Sequence, residues 1–367
     1  MTGTGSVRRP SWLLPTPARR DDVGGEPTAR RLLVRLMRGE DLPRADAAAL
    51  FGAALDEQVS DAQLGGALVA LAIKGETVEE LSGMAEAMRA RALRIRSKHE
   101  RFIDTAGTGS SFAKTFNVST AAAFICAGAG LPVAKHGSGA ATSLSGSADV
   151  LGALGINVRA EAAKSELCLN ELGICFLFAP LYHRATARVA QIRRQLGVHT
   201  TFNLLGPLTN PAGAPRQIIG AWHQSLLEPL AQTAAELGTE HTWVVHGSDG
   251  LDEITLCGAT HVAEAREGRV RLLTVVAEDF GLRARDSLEH LRGGTAPQNA
   301  QIIRRVLEND RQADETAHDL IIANAAAALV VGGVASDLRS AAEMSRESIR
   351  SGAALGKLEA LIRATNA

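Results

Sequence analysis

The sequence predicts an α/β protein, with a small all-helical domain and a larger α/β domain whose mostly parallel central sheet is covered by helices. Three observations predict it. Residues 27 to 95 place their apolar side chains at helical spacing. After residue 100, short apolar runs alternate with alanine-rich stretches, the rhythm of strand and helix in a parallel sheet. Glycine- and hydroxyl-rich loops follow the short runs, where such sheets bind ligands.

The helical region is read from its caps and stripes. "TARRLLVRLMRG" repeats Leu32, Leu33, Leu36 and Met37 and ends at Gly39. "SDAQLGGALVALAIKG" offers Ser60 or Asp61 as N-cap and stops at Gly75. "TVEELSGMAEAMRARAL" opens with a capping box, Thr77 capping while Glu80 reaches back. Its stripe of Val78, Leu81, Met84, Ala85 and Met88 is read as helix-packing core rather than a cofactor face.

Strands are expected at "LPVA" (131–134), "RQIIGAW" (216–222) and "TWVVHG" (242–247). Segment 161–199 reads as helical throughout, with the apolar "ICFLFAP" in its middle, and part of it is expected to join the helical domain. The domains are therefore set at 27–98 for the helical part and at 99–160 with 200–367 for the α/β part. Residues 1–26 are read as a flexible leader.

At 367 residues the chain can bury an ample core. A formal charge of −1 argues against a general nucleic-acid binder, which needs clustered Lys and Arg. Cys126, Cys168, Cys175 and Cys257 form no CxxC pair and read as small core residues. "WLLP" is too short for a signal-peptide core, and no apolar run approaches the roughly 20 residues of a membrane span. A cytoplasmic protein without a membrane partner is expected.

Three clusters carry the chemistry. In "DTAGTGSSFAKTFNVSTAAA" (104–123), Gly107 and Gly109 allow a tight turn, and Asn117, Ser119 and Thr120 open an alanine-rich helix. A helix N-terminus presents N–H groups and partial positive charge, which suit phosphate. In "KHGSGAATSLSGSADVLGALG" (135–155), Lys135 and His136 follow a strand, and Ser143 and Ser147 supply hydroxyls before a helix opening near Ser147. In "VVHGSDGLDEIT" (244–255), a turn precedes Asp252 and Glu253, a pair able to hold magnesium beside phosphates. Arg188, Arg193 and Arg194 lie on a predicted helix, and one turned toward a cleft would take a carboxylate bidentately.

"GTG…TFNVST", "VAKHG…SGSADVLGALG", "FLFAPLYH", "IRRQLG", "TFNLLGPLTNPA" and "HGSDGLDEIT" together resemble the anthranilate phosphoribosyltransferase family over roughly residues 28 to 360. The wider family includes nucleoside phosphorylases of the same architecture. The resemblance implies a homodimer with its active site at the hinge between the two domains. It also implies transfer of the 5-phosphoribosyl group from 5-phosphoribosyl 1-diphosphate to the nitrogen of anthranilate, with release of pyrophosphate, in tryptophan biosynthesis. The implied donor contacts are Gly107, Thr108, Gly109, Ser110, Ser111, Thr115, Asn117, Val118, Ser119, Thr120, Lys135, His136, Gly137, Ser143 and Ser147. Those to the acceptor are Gly107, Ser138, His183 and Arg193. Ser119, Asp252 and Glu253 match magnesium positions, with two ions expected per subunit. No acid or base is assigned, because the acceptor amine is already a nucleophile.

Against that pattern the chain reads Ser110-Ser111 where the family has Gly-Asp, Ser138-Gly139 where it has Asn-Arg, and "YHRAT" (182–186) where it has YHPAM. The donor and metal elements match better than the acceptor elements. The alternative reading is therefore the same donor with a different aromatic or heterocyclic amine. A pyrimidine nucleoside phosphorylase or a non-catalytic nucleic-acid-binding relative is less consistent with "FNVST" and the Asp-Glu pair.

Overall fold

The structure, a computed structural model, describes residues 26–109, 113–140 and 144–367. The chain divides into two compact units. One ends at Arg91 and takes in Ala185–Leu205; the other comprises Ala92–Arg184 and Gly206–Ala367.

The first unit is helical: Glu26–Met37, Arg44–Leu55, Asp61–Lys74, Val78–Arg91 and, from later in the chain, Ala187–Leu196. Local chemistry sets its boundaries. Ser60 and Gln63 form a reciprocal capping box, and Gly75, at φ 82°, closes the same helix. At the next helix the Glu80 N–H donates to Thr77 Oγ1 at 3.2 Å while the Thr77 N–H donates to Glu80 Oε2 at 2.9 Å. Leu81, Met84, Ala85 and Met88 are buried, and Val78 is half-buried. The stripe is core.

The second unit is built on one seven-stranded sheet. Its strands are β1 (Ile103–Gly107), β2 (Val133–Gly137), β3 (Ile174–Phe178), β4 (Arg216–Gly220), β5 (His241–Gly247), β6 (Thr260–Arg266) and β7 (Arg269–Val275). They lie in the order β3-β2-β1-β4-β5-β6-β7. Pairing is parallel from β3 through β5, and antiparallel from β5 to β7. The chain thus leaves β1 on one side and returns as β4 on the other, creating a switch point between them. Helix Val118–Gly128 packs against Glu315–Val331 and Ala353–Asn366, and Leu227–Glu236 against β5, β6 and β7.

Several expectations are corrected. "ICFLF" is not helical but the edge strand β3, with helix Ala162–Leu172 closed before it by Gly173 at φ 73°. A short apolar run reads alike as buried strand or buried helix, so periodicity could not separate them. Lys135, His136 and Gly137 belong to β2 itself rather than to a loop after it. The domain boundary falls at 91, not 98, because residues 93–98 bond within the second unit: Leu93 N to Tyr182 O, Arg96 N to Glu166, Lys98 N to Asn170. The part of 161–199 that joins the helices begins at 185, and the segment runs on to 205, so the second unit resumes at 206 rather than 200. The expected leader lies outside the described residues save Glu26. All four cysteines are free thiols, and burial pushes Cys126 up to about 12, which leaves it inert.

Candidate active site at the sheet switch point

In the second unit, Gly107 at the end of β1 pairs in register with Gly220 at the end of β4. Directly over this pair sits the acidic turn. A Cβ on Gly220 would overlap the Asp252 carbonyl oxygen, and one on Gly107 would lie 3.4 Å from Asp252 Oδ2. β4 therefore ends in glycine because the Asp252 backbone needs the space, whereas a Cβ on Gly107 would only make contact with the Asp252 carboxylate. The first loop is tied down here too: the Thr108 N–H and hydroxyl both donate to Gly220 O, at 2.8 and 3.0 Å. Thr108 accepts from Trp222 N as well, so its hydroxyl serves the loop.

Glu253 reaches the start of helix Val118–Gly128, where the Ser119 N–H donates to its Oε1 at 3.3 Å. Its Oε2 is buried with no hydrogen-bond partner. Burial first, and then the charge of Asp252, push its carboxyl up to about 8. The helix N-terminus thus holds a carboxylate, and the Thr120 amide bonds the Asn117 carbonyl, so these two amides are not open to phosphate as the sequence suggested. Thr120 Oγ1 is buried and unpartnered.

Lys135, from β2, closes the group. Its Nζ donates to the Thr105 carbonyl and, at 3.3 Å each, to Thr105 Oγ1 and Ser119 Oγ. Burial pulls this ammonium below its ordinary value, opposed by Asp104 and Glu253. Asp104 in β1 is fully buried and accepts from the His136 N–H at 3.0 Å and Asn210 Nδ2 at 2.8 Å. Burial raises it to about 6. Ser119 is thereby the meeting point of the three sequence clusters, bonded to both Lys135 and Glu253.

The described residues contain no group of three His, Cys, Asp or Glu side chains able to hold a metal. Two carboxylates and a hydroxyl are instead a set that suits magnesium, which completes its shell with water and substrate phosphates. The orphaned Glu253 oxygen fits such an ion.

Around the second loop, Gly137 lies where a Cβ would overlap Ser147 Oγ. Ser147 Oγ donates to Ser138 O at 3.4 Å, and Asp149 Oδ2 accepts from Ala140 N and Gly146 N, both at 2.8 Å. Ser138 is exposed. Ser110, Ser111 and Ser143 lie outside the described residues. Thr115 Oγ1 donates to Phe116 O at 3.2 Å, and Val118 is buried at the head of the helix.

His136 and His183 are both buried, their ring centroids 5.2 Å apart. His136 Nδ1 donates to Gly206 O at 3.2 Å, which leaves Nε2 as a buried acceptor without a partner. Burial, with His183 adding to it, holds His136 at about 3; burial holds His183 at about 4. Both rings are neutral near pH 7.

In the helical unit, Arg193 donates from Nη2 to Asn203 Oδ1 at 3.0 Å, and its guanidinium lies 5.5 Å from the Phe202 ring centroid. Its Nε is buried and unpartnered, and burial lowers its pKa. Arg188 instead pairs with Asp61 and Val59 O.

Sequence reasoning missed Asp104, Asn210, Asn299 and Asn324. The first two tie β1 to β2, and Asn324 grips the peptide after Glu253. Asn299 bonds Asn117. For Asn299, the capping signature of Thr295, Pro297 and Gln298 marked its helix but not its bonds.

Residues 99–355 match the model of the glycosyl transferase family a/b domain, and residues 30–92 that of the family's helical bundle domain. The chain is 50% identical over 333 residues to anthranilate phosphoribosyltransferase of Anaeromyxobacter dehalogenans, covering 91% of this chain and 97% of that one. The crystal structure of anthranilate phosphoribosyltransferase from Thermus thermophilus superposes with TM-score 0.85 at 36% identity, covering 91% and 99%. That of the Saccharomyces cerevisiae enzyme in complex with PRPP and Mg does so with TM-score 0.84 at 27% identity, covering 93% and 98%.

Proposed function

The chain belongs to the glycosyl transferase family whose two domain models it matches, and from that premise we infer that it is an anthranilate phosphoribosyltransferase. It transfers the 5-phosphoribosyl group from 5-phosphoribosyl 1-diphosphate to anthranilate and releases pyrophosphate, a step of tryptophan biosynthesis. The observation that carries this reading is the convergence of Lys135, Ser119 and Glu253 over the β1/β4 switch point, with one Glu253 oxygen buried and unpaired.

Departure of pyrophosphate places negative charge on the leaving group and positive charge on the ribose ring. Bound magnesium would supply charge neutralisation for the diphosphate. Asp252, Glu253 and Ser119 would hold it, and two ions per subunit are proposed. Lys135 contributes fixed positive charge beside them, and Asp104 keeps that charge in place. The turns at Gly107–Gly109 and Lys135–Gly137, with Thr115, Asn117 and Ser147, position the donor. Arg193 holds the acceptor carboxylate, and His183 and Ser138 contribute to the acceptor site. No side chain need abstract a proton before attack, so alignment at C1 does the remaining work.

One observation favours a second reading, the same donor with another aromatic amine: Ser138 is exposed and followed by Gly139, so this position offers neither amide nor guanidinium. Anthranilate fluorescence lost on mixing with 5-phosphoribosyl 1-diphosphate and magnesium tests both. Turnover establishes the first reading; donor binding without turnover moves the assignment to the second.

A homodimer is proposed through the helical unit. Its helices Glu26–Met37, Asp61–Lys74 and Ala187–Leu196 line a groove of about 840 Å³ with Ile73 82% and Met37 53% exposed. Light scattering that returns a monomer mass would end this. No helix among the described residues is long and apolar enough to cross a membrane, and a cytoplasmic location is proposed.

A further inference from the structure

Asn299, 2% exposed, stands on helix Ala296–Leu307 and makes three hydrogen bonds through its side chain. Its Oδ1 accepts the Gly294 N–H at 2.8 Å. A backbone N–H can only donate, so this bond decides which end of the Asn299 amide is oxygen. The NH2 end must then donate, and it does, to Asn117 Oδ1 at 3.0 Å and Ser145 Oγ at 2.9 Å. Ser145 is itself buried and oriented, donating from Oγ to Gly294 O at 3.2 Å and reaching Asn117 Oδ1 at 3.5 Å. The chain of logic ends at Asn117. Its oxygen is committed to Asn299, so the group it has left to offer is its NH2.

The backbone supports the same node. Phe116 N donates to Leu291 O at 3.2 Å, and a Cβ on Gly293 would overlap the Thr115 carbonyl oxygen. Segment 291–299 is thus seated against residues 115–117, and through Ser145 against the second loop.

We propose that Asn299 is a positioning residue: it fixes the Asn117 amide with its NH2 as the outward group, the donor that an anionic phosphoribosyl diphosphate requires, and locks the two donor-binding loops to one helix. This rests on the reading that Asn117 contacts the donor.

The test is calorimetric titration of the full chain with 5-phosphoribosyl 1-diphosphate and magnesium. Asn299→Asp keeps the acceptor for Gly294 but turns an oxygen on Asn117, which forces that amide to flip and show its oxygen to the donor. Asn299→Ala leaves Asn117 free to choose. Donor affinity should fall at least about tenfold in Asn299→Asp, the loss of one charge-assisted hydrogen bond, and less in Asn299→Ala, with the acceptor KM unchanged in both. A purely structural role gives the opposite order, because Asp is the closer isostere. Wild-type affinity in Asn299→Asp, or Asn299→Ala binding more weakly than Asn299→Asp, overturns the proposal. Should the Asp variant not fold, Asn117→Asp keeps the bond from Asn299 and replaces the outward NH2 by oxygen. It should weaken donor binding by a similar factor, and wild-type affinity there overturns the proposal equally. Wild-type protein that binds no donor at all overturns the donor reading beneath it, an outcome distinct from wild-type binding with unaffected variants.

Discussion

Asn324 holds the peptide of Ile254 at both ends. The Ile254 N–H donates to Asn324 Oδ1 at 2.9 Å, and Asn324 Nδ2 donates to the Ile254 carbonyl at 3.0 Å. Asn324 sits within helix Glu315–Val331, otherwise lined with buried Ala, Ile and Leu. One polar side chain on the buried, apolar face of this helix therefore fixes the residue immediately after Glu253.

Asn324→Leu should break that hold. It strands a buried N–H and C=O, each costing about 1–3 kcal/mol, so the melting temperature falls. The diagnostic effect is on metal: the magnesium concentration for half-maximal activity should rise, because the carboxylate turn loses its anchor. An unchanged magnesium requirement in a folded, active variant would show that the turn is held by other contacts.

Glu253→Gln separates folding from catalysis. Burial with one oxygen unpaired raises the Glu253 carboxyl to about 8, so the metal-free fold must protonate it at a cost that an uncharged amide avoids. Without magnesium the variant should melt no lower than wild type. Turnover should drop on the order of 100-fold or more, the scale of losing an electrostatic element of the transition state. Near-wild-type turnover would remove Glu253 from the metal site.

Arg193→Lys tests the acceptor arm. Arg193 is oriented by Asn203 and lies over the Phe202 ring, and the flat, forked guanidinium that makes both contacts is not reproduced by an ammonium. The acceptor KM should rise severalfold while the donor KM stays constant. A donor KM that moves instead would place Arg193 with the other substrate.

These targets differ in how far the sequence disclosed them. The helices 61–74 and 78–91 were legible because their caps are local: Ser60 with Gln63, Thr77 with Glu80, Gly75 behind. The acidic pair and the glycine loops were legible as types of chemistry. Strand β3 was not, since "ICFLF" has no period of its own, and neither were β6 and β7, whose pairing depends on β5. Asn299 and Asn324 were invisible for a further reason. Their partners lie 182 and 70 residues away in the chain, and an asparagine in a helix looks the same whether it meets solvent or a buried peptide.

The histidine pair gives a pH prediction. An unfolded chain titrates histidine near 6.5, whereas the native rings of His136 and His183 titrate only at about 3 and about 4. Below pH 6.5 the unfolded state takes up protons that the native state refuses. The share of stability that these two rings contribute above 6.5 is therefore lost as pH falls, with a slope approaching about 2.7 kcal/mol per unit when both rings contribute. Glu253 and Asp104, raised by burial to about 8 and about 6, take up protons in the native state over the same window and oppose this. The histidine contribution is therefore read by difference: between pH 7 and pH 5.5 in urea unfolding, His183→Asn should lose less stability than wild type by the share of one ring. Identical pH dependence in the two proteins would mean that His183 protonates freely in the native state.

Gly220→Ala asks whether the switch point itself is limiting. Gly220 is held on two sides, in register with Gly107 of β1 and Val245 of β5, so β4 cannot move aside. A methyl group there would overlap the Asp252 carbonyl oxygen, a backbone atom that no rotamer change can withdraw. The acidic turn must shift instead. Over-packing of this kind costs about 1–3 kcal/mol, which a unit with this much buried core should survive. The folded variant should need more magnesium and turn over more slowly. Gly152→Ala is the matched control, because nothing lies within 4 Å of its added Cβ and it sits in helix Ser147–Ala153. It should keep full activity and gain up to about 1 kcal/mol from helix propensity. If Gly220→Ala matched that control in both stability and magnesium requirement, the acidic turn would not be seated on β4.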